Sequence, residues 1–230
     1  MKIGGLQKLT LLDYPERVAC TLFTVGCNFR CPFCHNFSLV AGRDEAIDRL
    51  STEEVLEFLK KRKNVLEGVC ITGGEPLLQS GLEEFINLVK ELGYKVKLDT
   101  NGSFPDKLIE LVEAGLIDYV AMDIKNSRDL YSKTAGCAVN LDDISRSIDF
   151  LKSGAVDYEF RTTVTCTFHT EEGIESAAKW LSGAKRWYLQ QFVDSGDLID
   201  TTVVGCDVET MRKYLKIAQK YVKNTQLRGM

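Results

Sequence analysis

The sequence predicts an α/β fold built on a parallel sheet, and three observations predict it. Six apolar, β-branched-rich runs recur along the chain, an amphipathic stretch of helical period follows each, and glycines stand where several of those stretches end. Strand-then-helix repetition implies parallel strands, because each crossover helix returns the chain to the same edge of the sheet. Six units are fewer than the eight that close a full barrel, so the pattern alone leaves an open doubly wound sheet and a partial barrel. In either, reactive side chains belong at the carboxyl ends of the strands.

The first predicted strand, Arg17–Thr24, feeds Gly26–Leu50, a long non-periodic connection of the length usually reserved for function. A helix over Thr52–Lys63 starts at Ser51-Thr52-Glu53-Glu54, a capping box that satisfies two orphan amides. Its basic end, Lys60-Lys61-Arg62-Lys63, suits the negative pole of the helix dipole, and Asn64 is read as its left-handed stop. The predicted pairs that follow are Gly68–Thr72 with Leu82–Leu92, Lys95–Asp99 with Pro105–Ala114, and Tyr119–Ile124 with Asp142–Ser153. Gly93, Gly115 and Gly154 close those three helices, since glycine takes the left-handed conformation cheaply. Tyr158–Val164 with Glu171–Leu181 and Trp187–Phe192 with Val208–Val222 complete the series. Continuous apolar runs such as Tyr119-Val120-Ala121-Met122 fit strands covered on both faces. No repeat, low-complexity tract or linker divides the chain, so residues 1–230 read as one domain.

Composition narrows the function. The chain carries 29 Lys+Arg against 33 Asp+Glu, a net charge of −4, which lacks the electrostatic footprint of a nucleic-acid binder. No apolar run approaches the ~20 residues of a membrane span, and the start MKIGGLQKLTLLDYPE lacks the apolar core of a signal peptide. The expectation is a cytoplasmic protein. In that setting its eight cysteines point to metal or redox chemistry rather than to a disulfide framework.

Three of the eight cluster: Gly26-Cys27-Asn28-Phe29-Arg30-Cys31-Pro32-Phe33-Cys34-His35-Asn36 has C-x3-C-x2-C spacing just after the first predicted strand. Thiolates this close on a loop converge on one soft centre, zinc, copper(I) or an iron–sulfur cluster. Structural zinc wants four ligands, usually as two spaced pairs, and no second pair follows; His35 directly beside Cys34 would strain a shared tetrahedral site. Ligand softness and count favour a [4Fe-4S] cluster with one iron left open. Cys20 and Cys70 lie inside strands and read as small hydrophobes, while Cys137, Cys166 and Cys206 are scattered and read as non-ligands.

The other strand ends carry chemistry of their own. Gly73-Gly74-Glu75-Pro76 offers close backbone approach and an acceptor. Leu98-Asp99-Thr100-Asn101-Gly102 reads as a turn with an Asx cap. Asp123 and Lys125 fall on one face of their strand, where a structural ion pair and a ligand site are equally open. Arg161 in mid-strand needs a partner, either a buried acid such as Glu159 or a ligand carboxylate. His169 reads as a surface or helix-entry residue, and Trp180, Trp187 and Phe192 as core.

With Phe33 before its last cysteine, C-x3-C-x2-C resembles the signature of the radical S-adenosylmethionine (SAM) superfamily. The wider string Phe23-Thr24-Val25-Gly26-Cys27…Cys34-His35-Asn36 resembles the activases of glycyl radical enzymes. Gly5-Leu6-Gln7-Lys8…Leu12-Asp13-Tyr14-Pro15 resembles the opening of the anaerobic ribonucleoside-triphosphate reductase branch. The resemblance spans nearly the whole chain. It implies a partial (β/α)6 barrel of the TIM type with the cluster loop after strand one, and one [4Fe-4S] cluster on Cys27, Cys31 and Cys34. It further implies SAM on the open iron, and a 5′-deoxyadenosyl radical that takes hydrogen from a glycine of the partner. Carried over residue by residue, it puts Phe33, His35, Gly73, Gly74, Glu75, Asp99, Thr100, Asp123, Lys125 and Arg161 around SAM, with a monovalent cation held by Asp99 and Asp123. The implied partners are an anaerobic ribonucleotide reductase and a flavodoxin or ferredoxin-type electron donor. Two departures stand out: Val193 replaces a histidine that touches SAM in relatives, and Tyr14-Pro15-Glu16-Arg17 replaces the usual Gly-Pro-Gly approach. A radical SAM enzyme acting on a small molecule, such as a deazaguanine-forming synthase, and a zinc-binding module remain as other readings.

Overall fold

The computed structural model describes residues 1–40, 50–194, 196 and 198–230; the second part of the long connection read over Gly26–Leu50 falls mostly outside them. Strands and helices alternate as β1 (Ile3–Thr10), β2 (Ala19–Thr24), α1 (Phe37–Val40), α2 (Thr52–Arg62), β3 (Gly68–Gly73), α3 (Leu82–Glu91), β4 (Lys95–Thr100) and α4 (Pro105–Glu113). They continue as β5 (Tyr119–Asp123), α5 (Tyr131–Ala135), α6 (Leu141–Lys152), β6 (Asp157–Val164), α7 (Glu171–Trp180), β7 (Trp187–Gln191), α8 (Val208–Ala218) and β8 (Thr225–Arg228). The strands form one eight-stranded sheet in sequential order, with β2 to β8 parallel and β1 antiparallel to β2. The six predicted strands are β2 to β7, a partial (β/α)6 barrel as expected, and the cysteine loop follows β2.

Two strands escape the sequence reading. β1 is an edge strand with an irregular register, Ile3-Gly4-Gly5-Leu6-Gln7-Lys8-Leu9-Thr10, in which glycines and polar residues mask the strand period. β8 is only four residues long. Helix ends follow the predicted chemistry. The Ser51–Glu54 capping box closes with both bonds, and Gly93, Gly115 and Gly154 all have positive φ. Asn64 does not: among the described residues Glu16 alone of the non-glycines has positive φ, 62°.

That residue sits in the Tyr14-Pro15-Glu16-Arg17 turn ahead of β2. A side chain in the left-handed region costs about 1 kcal/mol that glycine avoids, partly offset by the greater freedom of glycine in the unfolded chain. Glu16→Gly therefore stabilises the protein by ~0.5–1 kcal/mol in urea unfolding, whereas a loss of stability would show that the turn depends on the glutamate side chain.

The two-residue period of the strands sorts their faces. Leu22, Val96, Leu98, Val120, Met122, Phe160 and Leu189 are buried in the shared apolar core, while the alternate positions Thr21, Asp99, Asp123, Arg161, Thr163 and Gln190 line a cavity at the barrel axis. An apolar shell thus surrounds a polar interior. No helix among the described residues is long and apolar enough to cross a membrane.

Candidate active site

The cavity has a volume of about 430 Å3 and opens at the carboxyl ends of the parallel strands. Every site residue named from the sequence lines it: Cys27, Cys31, Cys34, Phe33, His35, Gly73, Gly74, Glu75, Asp99, Thr100, Asp123, Lys125 and Arg161. Val193 does not, and is 60% exposed.

The cysteine loop is held by short-range backbone contacts. The Cys34 amide donates to the Cys31 carbonyl at 3.0 Å, and the Phe29 amide approaches Cys27 Sγ at 3.3 Å. The Arg30 amide donates to the Ala135 carbonyl, tying the loop to α5. Phe33 packs between Phe168 and Phe192, at ring-centroid distances of 6.0 and 6.5 Å, and His35 lies 5.3 Å from Phe192.

Gly73 and Gly74 serve this loop directly. A Cβ on Gly74 would lie 1.9 Å from the Gly26 carbonyl oxygen, and one on Gly73 2.4 Å from the Thr24 nitrogen. The Gly74 and Glu75 amides donate to the Thr24 and Gly26 carbonyls at 2.8 and 2.9 Å. The glycines are therefore required by the approach of the β3 end to the cysteine loop, in addition to any approach of a ligand.

Glu75 is 1% exposed and accepts from the Leu77 amide (3.1 Å), Thr100 Oγ1 (2.8 Å) and the Asn101 amide (2.7 Å). Burial outweighs these three donors and raises its carboxyl from 4.5 to about 7. Between those two pH values the folded chain keeps a proton that the unfolded chain has released, so stability falls as pH rises through the window. The full cost is roughly 3 kcal/mol. Glu75→Gln removes it, so in urea unfolding of the ligand-free protein the variant gains on wild type between about pH 5 and about pH 8. Parallel pH profiles would contradict the assignment.

A separate chain of alternating charges crosses the barrel. Lys97, Asp99, Arg161, Asp123 and Lys125 follow one another as ion pairs. Arg161 Nη1 meets Asp99 at 2.9 Å, its Nε meets Asp123 at 3.0 Å, and Lys125 meets Asp123 at 3.1 Å. Burial alone would raise Asp123, but Lys125 and then Arg161 win and hold it at about 2. Burial would likewise raise Asp99, yet Arg161 and Lys97 lower it. Lys125 is raised, because Asp123 overcomes its burial. Three cations face two carboxylates, so the chain leaves one positive charge at the cavity wall. Arg161 takes the bridging place between Asp99 and Asp123 that the sequence left to a monovalent cation, and the carboxylates are neutralised by the chain itself.

Several expectations change here. Glu159 is not the partner of Arg161; it is 1% exposed and bonds Arg228 and the Tyr119 hydroxyl, each at 2.9 Å. His169 is not a surface residue. It is 2% exposed, its Nε2 lies 2.9 Å from the Lys125 carbonyl, and burial lowers its pKa. Cys166 and Cys206, read as unrelated, form a disulfide. The antiparallel bridge Thr165–Gly205 brings them together, a contact that their 40-residue separation hides. Asn101 does more than cap a turn, since Nδ2 reaches Asn28 Oδ1 at 2.8 Å and Cys27 Sγ at 3.9 Å. The sequence reading also missed Lys97, 1% exposed beneath Asp99, and gave no site role to Gln7 and Asp13, which line the cavity from the edge strand and its turn.

The donor set admits a multi-iron centre. Three soft thiols, those of Cys27, Cys31 and Cys34, border one cavity. Three thiols would suit a [4Fe-4S] cluster, whose fourth iron stays open. Burial pushes Cys27 up to about 11 and Cys31 up to about 12, so both stay protonated until a metal displaces the proton.

The sequence profile described as the Radical SAM superfamily matches residues 21–181. A candidate glycyl-radical enzyme activating enzyme of Methanocaldococcus jannaschii is 33% identical over 236 residues, covering 98% of this chain and 95% of its own. A 7-carboxy-7-deazaguanine synthase of Methanopyrus kandleri is 29% identical over 219 residues, 84% of this chain and 82% of its own. Among solved structures, Streptococcus suis SuiB bound to precursor peptide SuiA has the same fold, with a TM-score of 0.72 at 17% identity. That match covers 91% of this chain, which spans about half of SuiB (48%).

Proposed function

The chain belongs to the radical SAM superfamily, whose members use a [4Fe-4S] cluster and SAM, and from that premise we propose that it is the activating enzyme of a glycyl radical enzyme. The observation that carries this reading is the end-to-end likeness to the Methanocaldococcus jannaschii protein of that description, at 33% identity.

When bound, the cluster and SAM supply one-electron chemistry that ends in abstraction of a hydrogen atom. The chain itself holds and orients. Cys27, Cys31 and Cys34 would hold the cluster. Glu75, raised to about 7 by burial, would accept from the SAM ammonium, whose charge would favour the carboxylate. Lys125, at the end of a charge chain with one cation in excess, and Arg161, at its middle, would face the SAM carboxylate. Phe33, His35, Thr100, Gly73 and Gly74 shape the wall and exclude water.

The partner in this reading is an anaerobic ribonucleoside-triphosphate reductase, and the electron donor is a flavodoxin or a ferredoxin-type protein. Support comes from the opening segment, whose Gln7 and Asp13 line the cavity. The test is electron paramagnetic resonance of the reductase after anaerobic incubation with this protein, SAM and a reductant. A glycyl radical signal is expected. The likeness to the deazaguanine synthase favours a second reading, a small heterocyclic substrate, and turnover of such a compound without a glycyl signal would replace the first reading with it.

A further inference from the structure

Two cysteines outside the candidate site are joined to each other. Cys166 lies in the loop after β6 and is exposed, and Cys206 precedes α8 and is 3% exposed. Their Cα atoms are 5.0 Å apart across the disulfide. The backbone on either side is knitted as well. The Cys166 amide donates to the Val204 carbonyl at 2.8 Å, and the Val204 amide to Thr167 Oγ1 at 2.9 Å. Residues 164–169 and 198–206 thus form two arms fastened at one point.

Both arms grip the cysteine loop. In the first, Phe168 packs on Phe33, and its carbonyl accepts from Asn126 Nδ2 at 2.8 Å. The same arm carries His169 against the Lys125 carbonyl. In the second, the Asp200 amide donates to the Pro32 carbonyl at 3.0 Å. Pro32 and Phe33 lie between Cys31 and Cys34, so the disulfide fastens the segments that press two of the three cluster cysteines into the cavity wall.

We propose that Cys166–Cys206 is a redox-operated clasp on this wall, opened by thiol–disulfide exchange with a dithiol reductant. One thiolate of the reductant attacks the sulfur of Cys166, the accessible one, and forms a mixed disulfide. The Cys166–Cys206 bond breaks, and Cys206 leaves with the electron pair and takes up a proton. The second thiol of the reductant then attacks the mixed disulfide, releasing Cys166 as a thiol and the reductant as its own disulfide. Two electrons and two protons enter the protein. In the opened state the 198–206 arm keeps only hydrogen bonds and side-chain packing, and the Pro32–Phe33 turn becomes accessible. This inference stands on backbone and side-chain contacts within the chain itself and holds whichever substrate the enzyme takes.

Hydrogen–deuterium exchange of the full-length, cluster-loaded protein under nitrogen tests it, before and after dithiothreitol, with iron content measured in parallel. Two more sulfurs are alkylated after reduction than before. Exchange at Cys166 and Asp200 then accelerates about tenfold or more, while the strands β3 to β5 are unchanged. The double variant C166S/C206S exchanges at the reduced rate with or without dithiothreitol; reduction of the wild type gives the same information should that variant not fold. An equal count of alkylated sulfurs before and after reduction overturns the proposal, and so does exchange in 198–206 that ignores reduction.

Discussion

Replacing any one of Cys27, Cys31 and Cys34 with Ala reduces reductive cleavage of SAM by more than about a hundredfold, to the background of the protein-free reaction. Each of the three stands on a different part of a short loop: Cys27 beside Asn28 and Asn101, Cys31 at the start of the Pro32–Phe33 turn, Cys34 at its end. Among the described residues no other cysteine is placed to take over a lost ligand, since Cys20 and Cys70 are fully buried within strands and Cys137 points to the Asn28 carbonyl. The fold should survive. Cys31 is part of the apolar core and Cys27 and Cys34 pack against it, but losing one sulfur costs only of the order of 1 kcal/mol. Iron content, 5′-deoxyadenosine yield and thermal unfolding separate these effects. A variant that keeps its cleavage activity would remove that cysteine from the cluster.

Asp99→Ala is the most damaging substitution expected outside the cluster. Lys97 is 1% exposed, and its contacts are Asp99 and, at 3.7 Å, the sulfur of Cys70. Without Asp99 a buried ammonium keeps only a thiol beside it, and stranding one member of a buried pair costs about 3–5 kcal/mol. Arg161 loses one of its two carboxylates in the same step. The pH dependence identifies the cause. In the wild type Asp99 overcomes burial and raises Lys97 above 10.5; in the variant burial prevails and lowers it. The folded variant then sheds a proton that the unfolded chain retains, so its stability recovers as pH rises toward 10.5, a trend absent from the wild type. Urea unfolding at about pH 6 and about pH 9 reads this directly. Lys97→Met combined with Asp99→Asn should regain most of the loss, because no unpaired charge remains. Equal losses in the single and double variants would mean that shape, not charge, holds the barrel floor.

What the sequence discloses and what it hides follow from the range of each interaction. The cysteine loop was legible because its ligands lie within eight residues and their spacing encodes convergence. The strand-end residues were legible because a parallel α/β sheet sends them all to one rim. Arg161 drew notice as a charge within an apolar run, yet its partners are 62 and 38 residues away, and local reading offered Glu159 instead. Lys97 carried the same signal in Lys95-Val96-Lys97-Leu98-Asp99 and was passed over, because lysines on alternate positions resemble a solvated face. In this sheet that face is the barrel interior. The Cys166–Cys206 bond and the burial of His169 depend on a loop folding back over the β6 end, which no periodicity announces.

The central claim is that the three-cysteine cavity performs radical SAM chemistry. It is tested most directly by reconstituting the protein anaerobically with iron and sulfide, reducing it with dithionite, adding SAM and the candidate reductase, and quantifying 5′-deoxyadenosine and methionine. The two products are expected in equal amounts, scaling with cluster content. A fully loaded cluster that yields neither, with the partner present, would contradict the account.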